Sequence, residues 1–193
     1  IVCFGNYTDG ADDELTLHIG ERKDVLAWCS GMHMIFFHII QRRESLRWCP
    51  KSENREGVSC LSGHPTMHVL AFSDRSFSNP RIFVLSYPSM TRVSECLRGS
   101  KSGYLATCFT PADHLVSLGS HPTYSMTIWS WRTGEKLASV GTRIRDIGGQ
   151  SIRVTSGKPT LIAQLGRQSG KLRIWETSPA GKTILFTDHE VLL

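Results

Sequence analysis

A short apolar segment with a small third residue returns four times along the chain at nearly constant phase. The copies are VLAWCSG (25–31), VLAFSDR (69–75), LVSLGSH (115–121) and LIAQLGR (161–167), with starts 44, 46 and 46 residues apart. A second run follows each: MIFFHII (34–40), RIFVLSY (81–87), MTIWSWR (126–132) and LRIWETS (172–178). Setting Phe37, Leu85, Trp129 and Trp175 in equivalent positions gives separations of 48, 44 and 46. The Pro-containing turns GHP (63–65), FTP (109–111) and GKP (157–159) precede the last three copies, their prolines 46 and 48 residues apart. Self-similarity at one period restricts the fold strongly. Each unit has to be one supersecondary module that buries its faces against its neighbours.

Period-two alternation, β-branched and aromatic enrichment, and Gly/Pro/Ser punctuation make each unit a set of four short strands. In the third copy these are ATCFT, HLVSLGS, SMTIWSW and EKLASVG. No amphipathic pattern of helical period runs long enough to compete. Four strands in about 40–45 residues is the signature of a propeller blade, so the expected fold is an all-β propeller of WD40 type. About four degenerate blades of a larger ring are expected. Residues 21–56 read as a partial blade, 57–101 and 102–146 as blades, and 147–193 as a truncated blade. Residues 1–20, with LTLHI their one strand-like stretch, read as the end of a preceding blade or an irregular lead-in. The chain opens on Ile1 and its first unit lacks a clear opening strand, so further blades are expected in a longer parent polypeptide.

Trp129 and Trp131 stand two apart in one strand and so share a face. Such a pair could form a stacking platform for a ligand. The same phase recurs at Phe37, Leu85 and Trp175, however, which a single binding site does not require. All five are therefore read as structural repeat positions, where an indole buries roughly 200 Å² between adjacent sheets.

Candidate chemistry fails on spacing. GRQSGKL (166–172) places three residues, not four, between its first Gly and Gly-Lys, and Leu172 stands where a magnesium-binding hydroxyl belongs. Gly-Lys there leads into a strand, so the stretch reads as a hairpin turn. Cys29, His33 and His38 lie close in sequence, and His64 and His68 are four apart. A four-residue gap aligns imidazoles for zinc on a helix, whereas on a strand it separates them along the ladder. These histidines are expected in turns or on the surface. No GxSxG elbow is present, Cys96 and Cys108 have no neighbour to activate a thiol, and Asp12, Asp13 and Glu14 read as a solvated acidic cluster. No catalytic residue, metal ligand or cofactor is expected, and the chain is read as non-enzymatic.

Composition agrees with a globular protein of 193 residues, 40% hydrophobic and 20% charged. The strongest apolar run, MIFFHII, falls far short of the roughly 20 residues that span a bilayer. Six cysteines without a CxxC pair, and no secretory leader, point to reduced thiols and leave the Asn6–Thr8 sequon without significance. The net charge of +5 allows an acidic partner. The cations look scattered, with Arg42–Arg43 the one Arg-Arg doublet and no aromatic interleaving. Neither nucleic acid nor membrane is expected as a partner, and no loop announces itself as the interaction surface.

RIWETS and TIWSW are similar to WD-repeat strands, with Glu176 and Ser130 in place of the Asp that usually follows Trp. The Asp-His-Ser/Thr-Trp polar network of strong WD repeats is not recognisable, so apolar packing is expected to dominate. A narrower resemblance spans residues 58–176, in the order HPTMHVLAFSD, PRIFVLSYPSM, GYLATCFTPADHLVSLGSHPTYSMTIWSW and GKLRIWE. It resembles the propellers of cilia- and flagella-associated WD-repeat proteins that form the tether and tether-head of an inner dynein arm. The most specific block is residues 115–131, where HPTYS lengthens a hairpin. The resemblance implies a scaffold of the ciliary or flagellar axoneme within the cytoplasmic cytoskeleton. Its implied partners are a sister WD-repeat subunit, inner-arm dynein components and tubulin. TIWSWRTGEKLASV is also similar to echinoderm-microtubule-associated-protein-like propellers, which bind microtubules, and a generic WD-repeat adaptor for a peptide or protein is the remaining alternative.

Overall fold

A computed structural model describes residues 17–19, 25–30, 33–38, 41–49, 57–76, 78–147 and 149–192; for some strand residues, Phe37 among them, only the backbone is described. The chain lays down four antiparallel sheets in succession, each a meander of four strands. The first contains β1 (Leu17–Ile19), β2 (Val25–Ser30), β3 (His33–His38) and β4 (Arg43–Trp48). The second contains β5 (Val58–Gly63), β6 (Val69–Asp74), β7 (Ile82–Ser86) and β8 (Thr91–Cys96). The third contains β9 (Tyr104–Phe109), β10 (Leu115–Gly119), β11 (Ser125–Ser130) and β12 (Glu135–Gly141). The fourth contains β13 (Gln150–Val154), β14 (Thr160–Gly166), β15 (Lys171–Thr177) and β16 (Ile184–Leu192). No helix occurs among the described residues, and none therefore is long and apolar enough to cross a membrane.

The four aligned segments that open the repeat are the second strands, and the runs that follow are the third strands. Leu17–Ile19, expected ahead of the first unit, instead pairs with β2 through Leu17–Ala27, His18–Leu26 and Ile19–Val25. The backbone of β2 thereby gains a ladder partner on its inner edge, and the first sheet has its opening strand. The fourth sheet likewise holds four strands.

Strand alternation distributes side chains into layers between sheets. In β6, Leu70 and Phe72 face the first sheet, while Val69 and Ala71 face the third. In the third sheet, Leu115 and Trp129 turn back toward the second, whereas Val116, Leu118, Met126 and Ile128 turn toward the fourth. Both faces of the middle sheets are thus covered, which explains why β6 and β10 are buried along their whole length. The first strands of successive sheets lie side by side, β1 by β5, β5 by β9 and β9 by β13. Ser62 and Thr107 hydroxyls meet at 3.0 Å across one of these inner seams.

Three backbone features repeat with the sequence period. Pairing between third and fourth strands slips between Phe36 and Phe37, Val84 and Leu85, and Ile128 and Trp129, and again between Arg173 and Trp175. In the first three sheets one outer-strand residue, Ser45, Val93 or Leu137, is left without a register partner. A bulge at this place bends and twists the outer strand, which blunts an edge that could otherwise template further pairing. The turn from third to fourth strand holds one left-handed residue in every sheet: Arg42, Met90, Gly134 and Gly181, at φ 50°, 53°, 75° and 67°. Finally, Gly57, Gly103 and Gly149 stand just before β5, β9 and β13 with φ of 91°, 147° and 111°. Glycine reaches those angles without the steric cost that a Cβ imposes.

Candidate interaction surface

The repeat positions lie on the third strands, facing the preceding sheet. Leu85 is buried against the first sheet, Trp129 against the second and Trp175 against the third. Phe37 takes the equivalent register position, but its side chain lies outside the described residues. Trp131 falls just beyond the end of β11, in the turn to β12, yet it enters the same buried layer as Trp129. None of these indoles presents a face to solvent.

Each indole N–H finds a partner, so the polar network is not lost to the extent that the sequence indicated. Trp129 Nε1 donates to Ser117 Oγ on β10 at 2.8 Å. Trp175 Nε1 donates to Gln164 Oε1 at 3.0 Å; Gln164 Nε2 donates onward to Gln150 Oε1 at 2.7 Å, and Gln150 Nε2 to the Ile144 carbonyl at 2.9 Å. The Ser–Trp half of the WD-type network therefore persists in the third sheet. In the fourth sheet a pair of glutamines carries a chain of the same kind. An unpaired indole N–H or amide in these layers would cost about 1–3 kcal/mol.

On one rim of the sheets, the connectors between first and second strands meet those between third and fourth strands. Asp113 (φ 66°), between β9 and β10, accepts from Trp131 Nε1 at 2.8 Å and from Arg132 Nε at 3.0 Å. The Arg132 guanidinium lies 4.2 Å from the Trp131 ring centroid and its Nη2 reaches Met67 Sδ of the second sheet at 3.7 Å. His64 lies in the connector from β5 to β6, where a turn was expected, and is buried there between Phe109 and Trp131, with ring centroids at 5.1 and 5.6 Å. Its Nδ1 accepts from the Met67 and Thr66 amides at 3.1 and 3.3 Å, and its Nε2 lies 3.5 Å from Asp113 Oδ1. Because Nδ1 is an acceptor, the neutral ring carries its proton on Nε2, facing the carboxylate.

Burial pulls the His64 pKa below its ordinary value near 6.5; Asp113 opposes the shift and Arg132 adds to it. Burial would raise Asp113, but hydrogen bonds from Arg132 and Trp131 and the neighbouring positive charge leave it lowered. A histidine depressed in the folded state binds fewer protons there than when unfolded. Its contribution is complete above about pH 6.5 and is lost as the pH falls through the folded value. Stability measured by urea denaturation should therefore fall as the pH drops below about 6.5. His64→Asn, whose amide oxygen can still accept the Met67 N–H, should flatten that slope. The part due to His114, also lowered by burial, should remain.

The opposite rim gathers the connectors that enter first strands and those that join second to third strands. Residues 97–103 are tied to 120–124 by Ser120 N to the Gly103 carbonyl at 3.0 Å and by Ser102 Oγ to the His121 carbonyl. Residues 142–149 join on through Thr142, whose Oγ1 and N donate to the Tyr124 carbonyl at 2.8 and 3.0 Å. Residues 167–170 close the series, with Gln168 N and Ser169 N both 2.9 Å from Asp146 Oδ2. Two amides of the GRQSGKL turn, those of Gln168 and Ser169, are thus occupied by an internal carboxylate. The four connectors make one continuous surface. HPTYS supplies residues 121–124 of the five-residue connector 120–124 and, with Ser125, the start of β11; the matching connector of the second sheet is longer, running from 75 to 81.

Other sequence candidates do not converge. Among the described residues no group of three or more His, Cys, Asp or Glu is placed to hold a metal. His33 and His68 are exposed, the side chains of Cys29 and His38 lie outside the described residues, and so do Asn6, Asp12, Asp13 and Glu14. Burial pushes the Cys60 and Cys96 thiols up to about 11 and about 12, which keeps both protonated and poor as nucleophiles.

Four-stranded meanders fanning outward from neighbouring first strands, with a tryptophan or aliphatic side chain at a fixed third-strand phase, define a WD40-type β-propeller fold. A chain in the crystal structure of the mitotic checkpoint complex superposes with a TM-score of 0.67 at 14% identity, covering 91% of this chain and 52% of that one. At that identity the likeness is one of fold alone. In sequence, the chain is similar to proteins named cilia- and flagella-associated protein 44 and 43. The Trypanosoma brucei protein 44 is 30% identical over 78 residues, which is 40% of this chain and 4% of the relative. Mouse protein 44 is 24% identical over 127 residues, or 65% of this chain and 7% of the relative, and mouse protein 43 is 28% identical over 95 residues, or 49% and 6%. The chain thus spans only a small fraction of these relatives' length. No protein-family profile matches it.

Proposed function

We propose that the chain is a propeller segment of a non-enzymatic WD-repeat scaffold in the ciliary or flagellar axoneme. In that role it helps to tether inner-arm dynein to the doublet microtubule and so supports ciliary motility. The observation that carries this reading is its sequence similarity to proteins named for cilia and flagella, over a stretch that folds as packed blades. Rigid sheets with hydrogen-bonded connectors suit a geometric role, in which loops are held in place for protein partners and no covalent step is needed. A WD-repeat sister subunit, dynein components and tubulin are the proposed partners.

Cosedimentation with taxol-stabilised microtubules, repeated across a salt series, tests direct tubulin contact. Pelleting at low salt that declines as ionic strength rises is the expected result, since exposed charge pairs are screened over about 10 Å at 0.1 M. Absence from the pellet at low salt would remove tubulin from the list of partners and leave a dynein-facing subunit.

A further inference from the structure

From Thr142 to Ile147 the connector from β12 to β13 alternates strictly in exposure. Thr142, Ile144 and Asp146 are buried, while Arg143, Arg145 and Ile147 are exposed, Ile147 to 80%. The buried set anchors the backbone. Thr142 bonds Tyr124, the Thr142 carbonyl accepts Arg173 Nη1 at 2.6 Å, the Ile144 carbonyl accepts Gln150, and Asp146 takes two amides and the Ser169 hydroxyl. The exposed set is therefore displayed from a fixed backbone, which reduces the ordering cost of binding.

The hydrogen-bonded connectors around it extend the same electrostatic character. Arg98 and Lys101 in 97–103, Arg143 and Arg145 in 142–149, and Arg167 in 167–170 are all exposed. None of these five takes part in an ion pair among the described residues. The one acidic residue in these connectors, Asp146, is turned inward and consumed by its three donors. Five cations with no exposed carboxylate among them equal the whole chain's formal net charge of +5. Five cations scattered in sequence are thus brought together by topology on this rim.

We infer that this rim docks an acidic polypeptide segment carrying an apolar side chain, its carboxylates paired with Arg143, Arg145 and the flanking cations and its apolar group against Ile147. The chemistry favours protein over nucleic acid. Single-stranded nucleic acid is held by aromatic platforms as well as charge. The one aromatic ring of the Tyr, Trp or Phe type in these connectors, Tyr124, is buried. The inference goes beyond the scaffold reading by assigning a surface and a partner chemistry to it.

Fluorescence anisotropy of the full chain with a fluorescein-labelled oligoglutamate peptide bearing one central leucine tests this directly. Saturable binding is expected at low salt, weakening about tenfold or more at physiological ionic strength. Arg143→Glu/Arg145→Glu should abolish it, as should Arg98→Glu/Lys101→Glu in the neighbouring connector, and Lys158→Glu on the opposite rim should leave it unchanged. Ile147→Asp should remove the advantage of the leucine-bearing peptide over plain oligoglutamate. All of these substitutions are at exposed side chains, and unchanged melting curves would confirm intact blades. No binding at low salt would overturn the inference, as would binding indifferent to both charge reversals. Displacement of the peptide by an equally charged oligonucleotide at lower concentration would reassign the rim to nucleic acid. Each of these failures leaves the axonemal reading standing, because that is tested by where the protein resides in the cell.

Discussion

Replacing Trp129 by alanine is expected to lower stability by about 3–5 kcal/mol, the cost of removing a fully buried indole from a packed layer. The side chain is 0% exposed and lies in the layer between the second and third sheets with Val84, Cys96 and Tyr104. Gly99 shows how closely the surroundings fit: a Cβ built there would stand 2.3 Å from Trp129 Cζ2. Collapse into the space is hindered because its walls are strands held by their own ladders. Loss of the indole also leaves Ser117 Oγ without its donor. For a chain of this size the expected fall in melting temperature is roughly 6–20 °C, measurable by differential scanning fluorimetry. Trp129→Phe should fall between wild type and alanine, since it keeps most of the apolar contact and loses the hydrogen bond. A Trp129→Ala variant as stable as wild type would mean that the indole is not part of the core between sheets.

The second large effect is expected at Gly134. Its φ of 75° is not the main obstacle, because Met90 holds the equivalent turn position at 53°. What differs is the neighbour. A Cβ on Gly134 would stand 2.2 Å from the backbone oxygen of Glu95 and 2.9 Å from its carbonyl carbon, so the turn of the third sheet would have to move off β8 of the second. Backbone on both sides cannot yield as a flexible side chain would. Ser94 Oγ, bonded to the Trp131 carbonyl, pins the same contact. Gly134→Ala should therefore cost about 1–3 kcal/mol from overpacking, and about 1–2 kcal/mol more for the left-handed backbone. Arg42 has the same conformation at an exposed position (φ 50°), so Arg42→Gly should be neutral or slightly stabilising. Urea denaturation of the two variants would separate backbone conformation from the clash; a Gly134→Ala loss no larger than the gain from Arg42→Gly would exclude the contact with β8 as the cause.

The repeat was legible because blades are local modules. The phase shared by Phe37, Leu85, Trp129 and Trp175 places all four on third strands, and there it also coincides with the bulge against the outer strand. Gly57, Gly103 and Gly149, spaced 46 and 46 apart, mark the start of three first strands and were a readable signal that apolar pattern alone does not capture. The opening strand Leu17–Ile19 was harder to place, since three residues carry little periodicity and their partner β2 decides their identity. The polar contacts were less legible still. Nothing local marks Asp113 as the acceptor for Trp131 and Arg132, or Ser117 for Trp129, because those partners are 12 to 19 positions away and meet only through strand pairing. His64 resembled any turn histidine until Phe109 and Trp131 closed over it. The basic rim was invisible for the same reason, since Arg98, Lys101, Arg143, Arg145 and Arg167 are neighbours only through the order of the connectors.

The central claim is that these blades belong to an axonemal scaffold, and fractionation of isolated cilia tests it most directly. With the protein tagged at its own locus, membranes and matrix are removed with detergent and the axonemes are then extracted with increasing salt. The expected result is retention with the detergent-insoluble axoneme and release at high salt together with inner-arm dynein components. Recovery in the detergent-soluble fraction, or absence from cilia, would contradict it.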